Sequence, residues 1–154
     1  MLKEIAIGSD HAGLEMKNRI KALLIRCGYT PLDLGTNDEC SVDYPDFGEK
    51  VSEAVSSGET ARGILICGTG IGMSIVANKF PGVRAALCHD VHASRMSRLH
   101  NDSNILVLGG RTTEKSLAEE IVTTWLETPF EGGRHERRRD KINSIEERIK
   151  SATQ

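Results

Sequence analysis

The sequence predicts an α/β fold: a three-layer α/β/α sandwich around a parallel sheet of about five strands, with a C-terminal helix extending to a partner subunit. Three observations carry this expectation. Short apolar runs alternate with stretches of helical periodicity, the links between them are short, and glycine or proline marks most boundaries. Such alternation calls for right-handed crossovers. The 154 residues suffice for one sizeable core, contain no internal repeat, and are read as a single domain over 1–154.

The elements follow in order. Lys3 to Ser9 is an apolar strand ending at Asp10-His11. Leu14, Met16, Ile20, Leu23, Leu24 and Cys27 then recur at helical spacing until Gly28 stops the helix. Thr30 to Leu34 is the second strand, and Gly35 to Tyr44 a polar loop. Pro45 opens a helix with Phe47, Val51, Ala54 and Val55 inward, closing at Gly58. Ile64 to Cys67 is the third strand, a glycine turn follows, and a helical pattern begins at Met73. After the Pro81-Gly82 turn come a fourth strand, Arg84 to Cys88, and the polar helix DVHASRMSRLHND. Ile105 to Leu108 is the fifth strand, and the helix from Thr113 buries Leu117, Ala118, Ile121, Val122, Trp125 and Leu126. The last helix, about 135–151, is charged and carries one thin stripe, Ile142, Ile145 and Ile149. So thin a stripe suits docking on another surface, with a second subunit favoured over the chain's own domain.

Composition narrows the function classes. Lys+Arg of 20 against Asp+Glu of 22 gives a net charge of -2, so nothing global favours nucleic acid or an acidic membrane as partner. No apolar run reaches membrane-spanning length, and MLKEIAIGSD lacks a signal-peptide layout, so a cytoplasmic location is expected. The four cysteines, Cys27, Cys40, Cys67 and Cys88, show neither CxxC pairing nor zinc-ligand spacing.

The chemistry centres on RGILICGTGIGMSIVAN, Arg62 to Asn78. A strand runs into a thiol, a glycine turn and a helix start, so backbone N–H groups and the positive end of a helix face whatever binds there. An anion can be held at such a junction, and a thiolate stabilised. The turn is not GxGxxG, because Met73 stands at the third glycine, and it lacks the Lys-Ser/Thr of a Walker loop. It also lacks the arginine that a cysteine phosphatase places soon after its nucleophile. What remains is a thiol beside N–H donors and the Thr69 hydroxyl, suited to removing a proton next to an enolate-like oxyanion.

Ligands of open parallel sheets bind beyond the carboxyl ends of the strands, near the reversal of strand order. That rule adds Asp10, His11, His89, Asp90 and Arg111 as candidates. Asp10 and His11 suit a polyhydroxylated ligand or proton movement, although capping of the next helix is the competing role. His100, at a helix end, suits a dipole partner as well as a catalyst. Arg134 and Arg138 fall one turn apart and can converge on one phosphate. His89 and His92 share a helix face without a third ligand, so no metal is expected.

The residues resemble the type B ribose-5-phosphate isomerases of the ribose/galactose isomerase B family over nearly the whole chain. The resemblance rests on SDHAG (9–13), DYPDF (43–47), ICGTGIGMSI (66–75), ANKFPGVRAAL (77–87), RLHNDSN (98–104), LGGR (108–111) and GGRHERR (132–138). It implies a Rossmann-like domain that interconverts D-ribose 5-phosphate and D-ribulose 5-phosphate in the non-oxidative pentose phosphate pathway. No metal or cofactor is implied. The assembly implied is a homodimer or a dimer of dimers with active sites shared between subunits.

Carried over residue by residue, the resemblance makes Cys67 the base that moves a proton between C2 and C1. Thr69 and the N–H groups of Gly68, Gly70, Ile71 and Gly72 would hold the enediolate oxygen, with Ser74 beside them. His100 and Asp10 would open the sugar ring. His11, Arg134 and Arg138 would bind phosphate, Arg111 and His135 would assist, and Tyr44 and Asn101 would line the sugar. Relatives that lack the cysteine place a glutamate just after the last glycine; Met73 stands there in this chain. Other readings are an isomerase for allose 6-phosphate or a four-carbon sugar phosphate, a galactose-6-phosphate isomerase subunit, or a non-catalytic sugar-phosphate-binding protein.

Overall fold

Five strands, β1 (Lys3–Ser9), β2 (Tyr29–Asp33), β3 (Gly63–Cys67), β4 (Ala85–Leu87) and β5 (Ile105–Gly109), form one sheet in the order β2-β1-β3-β5-β4. Every pairing is parallel, with Ile7 opposite Ile64 and Ile64 opposite Leu106 across the centre. These relationships come from a computed structural model describing residues 3–154; Met1 and Leu2 of the expected 1–154 domain lie outside the described residues. The chain moves from β1 outward to β2, then returns to β1's other side with β3. The connections leaving β1 and β3 therefore diverge, which opens a crevice at the carboxyl ends of those two strands.

Among the described residues six α-helices surround the sheet: α1 (Leu14–Arg26), α2 (Tyr44–Ser56), α3 (Ile71–Ala77), α4 (Val91–Leu99), α5 (Lys115–Glu127) and α6 (Arg134–Ala152). Alternation of side chains along the strands splits the core in two. Ile5, Ile7, Ile64, Ile66, Leu106 and Leu108 pack on one face against Met16, Ile20 and Leu24 of α1 and Ala118, Ile121 and Trp125 of α5. Ala6, Leu65, Cys67, Ile105 and Val107 pack on the other against Val51, Ala54 and Val55 of α2 and Met73 and Ala77 of α3. Each fully buried Ile or Leu contributes about 1.5–3 kcal/mol relative to exposure. Trp125 also satisfies its one polar atom, the indole N–H donating to Ser103 Oγ at 2.9 Å. Among the described residues no helix is long and apolar enough to cross a membrane.

The differences from expectation are local. Cys27 does not continue the apolar stripe of α1; it is the exposed C-cap, and Gly28 turns away with φ of 82°. β4 contracts to Ala85–Leu87, because Arg84 is drawn into the loop network described below. α3 starts at Ile71 rather than Met73, and α5 starts after Glu114, whose carboxylate caps the N–H groups of Ser116 and Leu117. α6 runs slightly beyond the expected 135–151 and touches the domain at few points. Its isoleucines Ile142, Ile145 and Ile149 remain 52%, 47% and 61% exposed.

Candidate active site

At the carboxyl edge, the glycine turn is held by the neighbouring strand connection. The Gly110 N–H donates to the Cys67 carbonyl at 2.8 Å and the Arg111 N–H to the Gly68 carbonyl at 3.0 Å. Gly70 adopts φ of 82°, and a Cβ there would meet Leu87 Cδ1 at 2.5 Å and the Leu108 carbonyl carbon at 3.1 Å. Glycine is thus required for both conformation and space. Gly72 lies under the Tyr44 ring, which a Cβ would strike at 2.5 Å. The thiol-bearing residue Cys67 is buried within the α2–α3 face, at the mouth of this turn.

Thr69 is exposed, and its Oγ1 accepts the Ile71 N–H at 3.3 Å. Ile71 therefore spends its donor locally, while the threonine hydroxyl keeps its own proton to give outward. Ser74 uses its hydroxyl on the Ile71 carbonyl at 2.7 Å.

Across the crevice, Asp10 is buried and its Oδ1 accepts the Gly13 N–H at 3.0 Å, capping the short 3-10 turn His11–Gly13. The capping role weighed against catalysis is thus present, carried by one oxygen. His11 Nδ1 accepts the Val42 N–H at 3.1 Å. With that nitrogen used as acceptor, the neutral ring carries its proton on Nε2 and presents a donor. Fully buried Lys17 donates to Asp33 and, upstream in the same loop as Val42, to the Thr36 carbonyl at 2.5 Å and to Asn37 Oδ1 at 3.0 Å. His11 and Arg111 line a common depression of about 530 Å³.

The remaining candidates gather elsewhere. His100 is the C-cap of α4, and Asn104, four residues on, accepts the Gly63 N–H at the first residue of β3. Cys67 is the last residue of that strand, so the two ends lie about 13 Å apart along β3 at about 3.3 Å per residue. His100, Asn101, Arg134, His135 and Arg138 all belong to this amino edge. His135 stacks on His100 with ring centroids 4.1 Å apart and planes within 8°. Burial, then the charges of His100 and Arg134, lower the His135 pKa, with Glu131 opposing. Arg134 and Arg138 are exposed at the start of α6.

A hub of charged side chains, none of them singled out from the sequence, fixes this edge. Asp102, at φ of 49°, accepts from Arg98 Nη1 at 2.9 Å, Arg139 Nη1 at 2.9 Å and Arg84 Nη2 at 3.3 Å. Arg84 Nε also reaches the carbonyls of Asn101 and Asp102. Farther along α6, Glu146 accepts the Gly82 N–H at 2.9 Å. Most of these contacts join charges far apart in sequence, Arg98–Asp102 being the one-turn exception. Glu131 lies 3.9 Å from His100 Nε2 and, four residues before it in sequence, 3.8 Å from His135 Nε2. His89 and His92 are both exposed and belong to no such cluster among the described residues.

The candidate residues therefore fall into two groups at opposite ends of the sheet. The carboxyl edge holds Asp10, His11, Tyr44, Cys67 through Ser74, and Arg111. The amino edge holds the two histidines and the paired arginines.

Comparison with known proteins identifies the family. A family profile described as Ribose/Galactose Isomerase matches residues 5–142. Ribose-5-phosphate isomerase B of Escherichia coli is 46% identical over 147 residues, covering 96% of this chain and 99% of that one. D-erythrulose-4-phosphate isomerase of Pectobacterium atrosepticum is 41% identical, covering 95% and 97%. The solved ribose-5-phosphate isomerase B of Clostridium thermocellum superposes with a TM-score of 0.92 at 55% identity, covering 95% and 99%. With a family match across nearly its whole length and these identities, the chain belongs to the ribose/galactose isomerase family and is an aldose–ketose isomerase.

Proposed function

We propose that the protein interconverts D-ribose 5-phosphate and D-ribulose 5-phosphate through a cis-enediolate, with Cys67 as the base, as a step of the non-oxidative pentose phosphate pathway. The observation that carries this reading is the junction itself. A thiol-bearing residue ends the central strand beside a turn of N–H groups and a hydroxyl free to donate. The Cys67 thiolate takes the C2 proton while Thr69 and the N–H groups of Gly68, Gly70 and Gly72 stabilise the charge that develops on O1. The O2 hydroxyl proton passes to O1, and the thiol returns its proton to C1, so no atom is gained or lost. His100 and Asp10 open the furanose beforehand, while Tyr44 and Asn101 hold the sugar. His11, Arg134 and Arg138 hold the phosphate, with Arg111 and His135 assisting.

This division of labour requires two chains. Cys67 and His100 cannot meet one small sugar across their own sheet, so each active site combines the carboxyl edge of one subunit with the amino edge of its partner. The exposed stripe on α6, together with Ile71 and Ile75 at 55% and 58% exposure on α3, supports such pairing. A homodimer is the smallest assembly that completes a site, and a dimer of dimers contains the same unit.

The test is a coupled assay for ketose formation, with wild type and Cys67→Ala run in parallel. Loss of C2-proton exchange in the variant with phosphate affinity retained is expected; retained exchange would assign the base elsewhere. The second reading, an isomerase of another aldose phosphate, is favoured by the likeness to D-erythrulose-4-phosphate isomerase. Rates with four-, five- and six-carbon aldose phosphates separate the two.

A further inference from the structure

We infer that His100, Glu131 and His135 form a binding site for a divalent transition metal of the zinc class, and that occupancy of this site inhibits the enzyme by withdrawing His100. The donor atoms of the three residues all lie within 4.8 Å of one another. Both imidazole Nε2 atoms face the same oxygen, Glu131 Oε2, at 3.9 and 3.8 Å. Ligands about 2.0–2.1 Å from a tetrahedral zinc ion lie about 3.3 Å from one another, and each Zn–N bond lies in the plane of its imidazole, so binding draws the donors inward and turns the partly exposed His100 ring out of its stack on the buried His135.

Two segments, the end of α4 and the turn leading into α6, converge to build the cluster. The Glu131 N–H donates to the Leu99 carbonyl at 3.1 Å, which pins this residue beside His100 at the end of α4. Gly132 and Gly133, at φ of 75° and 57°, then reverse the chain so that His135 enters α6 beneath the Glu131 carboxylate. Backbone, rather than chance meeting of long side chains, brings the donors together. His135 supplies the independent observation that something is missing: the residue is only 3% exposed, and its buried Nε2 has no hydrogen-bond partner. An unpaired buried nitrogen is costly, and a metal bond satisfies it. The Glu131 carboxylate, half exposed, takes no hydrogen bond among the described residues and is free to turn inward.

Two imidazoles and a carboxylate with an open fourth position are a donor set that suits zinc. Calcium and magnesium, which select all-oxygen shells, are disfavoured by the same set. Binding stands on geometry alone; inhibition rests on the proposed catalytic use of His100.

The experiment titrates the full-length protein with Zn²⁺ against a chromophoric chelator, and measures isomerase activity over the same range. One ion per chain is expected, with activity falling in proportion to occupancy and returning on chelation. Glu131→Gln, at an exposed position, should fold normally and weaken binding about tenfold or more, with His135→Gln as the second ligand variant. Cys27→Ser and Cys40→Ser should bind as wild type does. Wild-type affinity in Glu131→Gln, loss of binding in the cysteine variants, or no binding at all would overturn the site. Full activity at saturating Zn²⁺ would overturn its inhibitory role. Binding is read without substrate, so the titration decides the metal site even for a chain that proved inactive on ribose 5-phosphate.

Discussion

The imidazole of His135 lies flat on that of His100, 4.1 Å between centroids, and fastens the start of α6 to the end of α4. Because burial and the neighbouring positive groups lower the His135 pKa below its ordinary 6.5, the folded chain binds fewer protons there than the unfolded chain. Stability is therefore undiminished above pH 6.5 and falls as pH drops from there toward the depressed folded value. Urea midpoints measured from about pH 5 to about pH 8, a span that brackets ordinary histidine titration, should show this acid loss in wild type. The slope should flatten in His135→Gln, and an equal slope would place the acid sensitivity elsewhere.

Asp102 is the only carboxylate shared by Arg84, Arg98 and Arg139 among the described residues. Arg98 is nearly buried, so removing its counter-charge leaves a cation that water reaches poorly. Asp102→Asn keeps the shape and tolerates the positive φ, and should cost about 1–3 kcal/mol of stability. The same change loosens the loop bearing His100 and Asn101 and undocks Arg139 of α6. Activity should fall more steeply than stability alone explains, as measured by kcat on fully folded protein.

Gly70 and Gly28 share φ of 82° but not surroundings: a Cβ at Gly28 meets nothing within 4 Å, whereas one at Gly70 strikes Leu87 and the Leu108 backbone. Gly28→Ala should therefore cost only the backbone term, about 1 kcal/mol. Gly70→Ala adds overpacking of about 1–3 kcal/mol and displaces the turn that carries Thr69. Thermal midpoints rank the two, and only the Gly70 variant should lose turnover while folded.

Much of the fold was legible because strands and helices here differ plainly in period, and Gly28 and Gly58 both take the left-handed conformation that stops a helix. The carboxyl-edge residues were legible too, since one topological rule selects strand ends. At the amino edge, the helix-end position of His100 and the one-turn spacing of Arg134 and Arg138 were legible, but the contacts that bring them together were not. Asp102 meets Arg84 and Arg139 across 18 and 37 residues, and Glu131 faces His100 from the far end of β5 and α5. These long-range meetings depend on where α4 and α6 end up, which no periodicity encodes, although the Arg98–Asp102 pair of the same hub is one helical turn apart. The strand-four boundary failed for the same reason, because Arg84 belongs to that network.

The separation of Cys67 from His100 gives the sharpest test of a shared site. Cys67 ends β3 and His100 lies beyond the start of the same strand, so a defect in either residue disables a different half. If each site takes Cys67 from one subunit and His100 from its partner, homodimers of Cys67→Ala or of His100→Gln contain no intact site. A mixed dimer contains one site with both defects and one with neither. Unfolding and co-refolding equal amounts of the two variants gives about half mixed dimers, each with one working site, so about a quarter of wild-type activity should return. Mixing without subunit exchange should return nothing, which excludes contamination by active enzyme. If instead both residues served the same site from one chain, every site in every mixture would carry one defect, and no ratio of the two proteins would restore turnover.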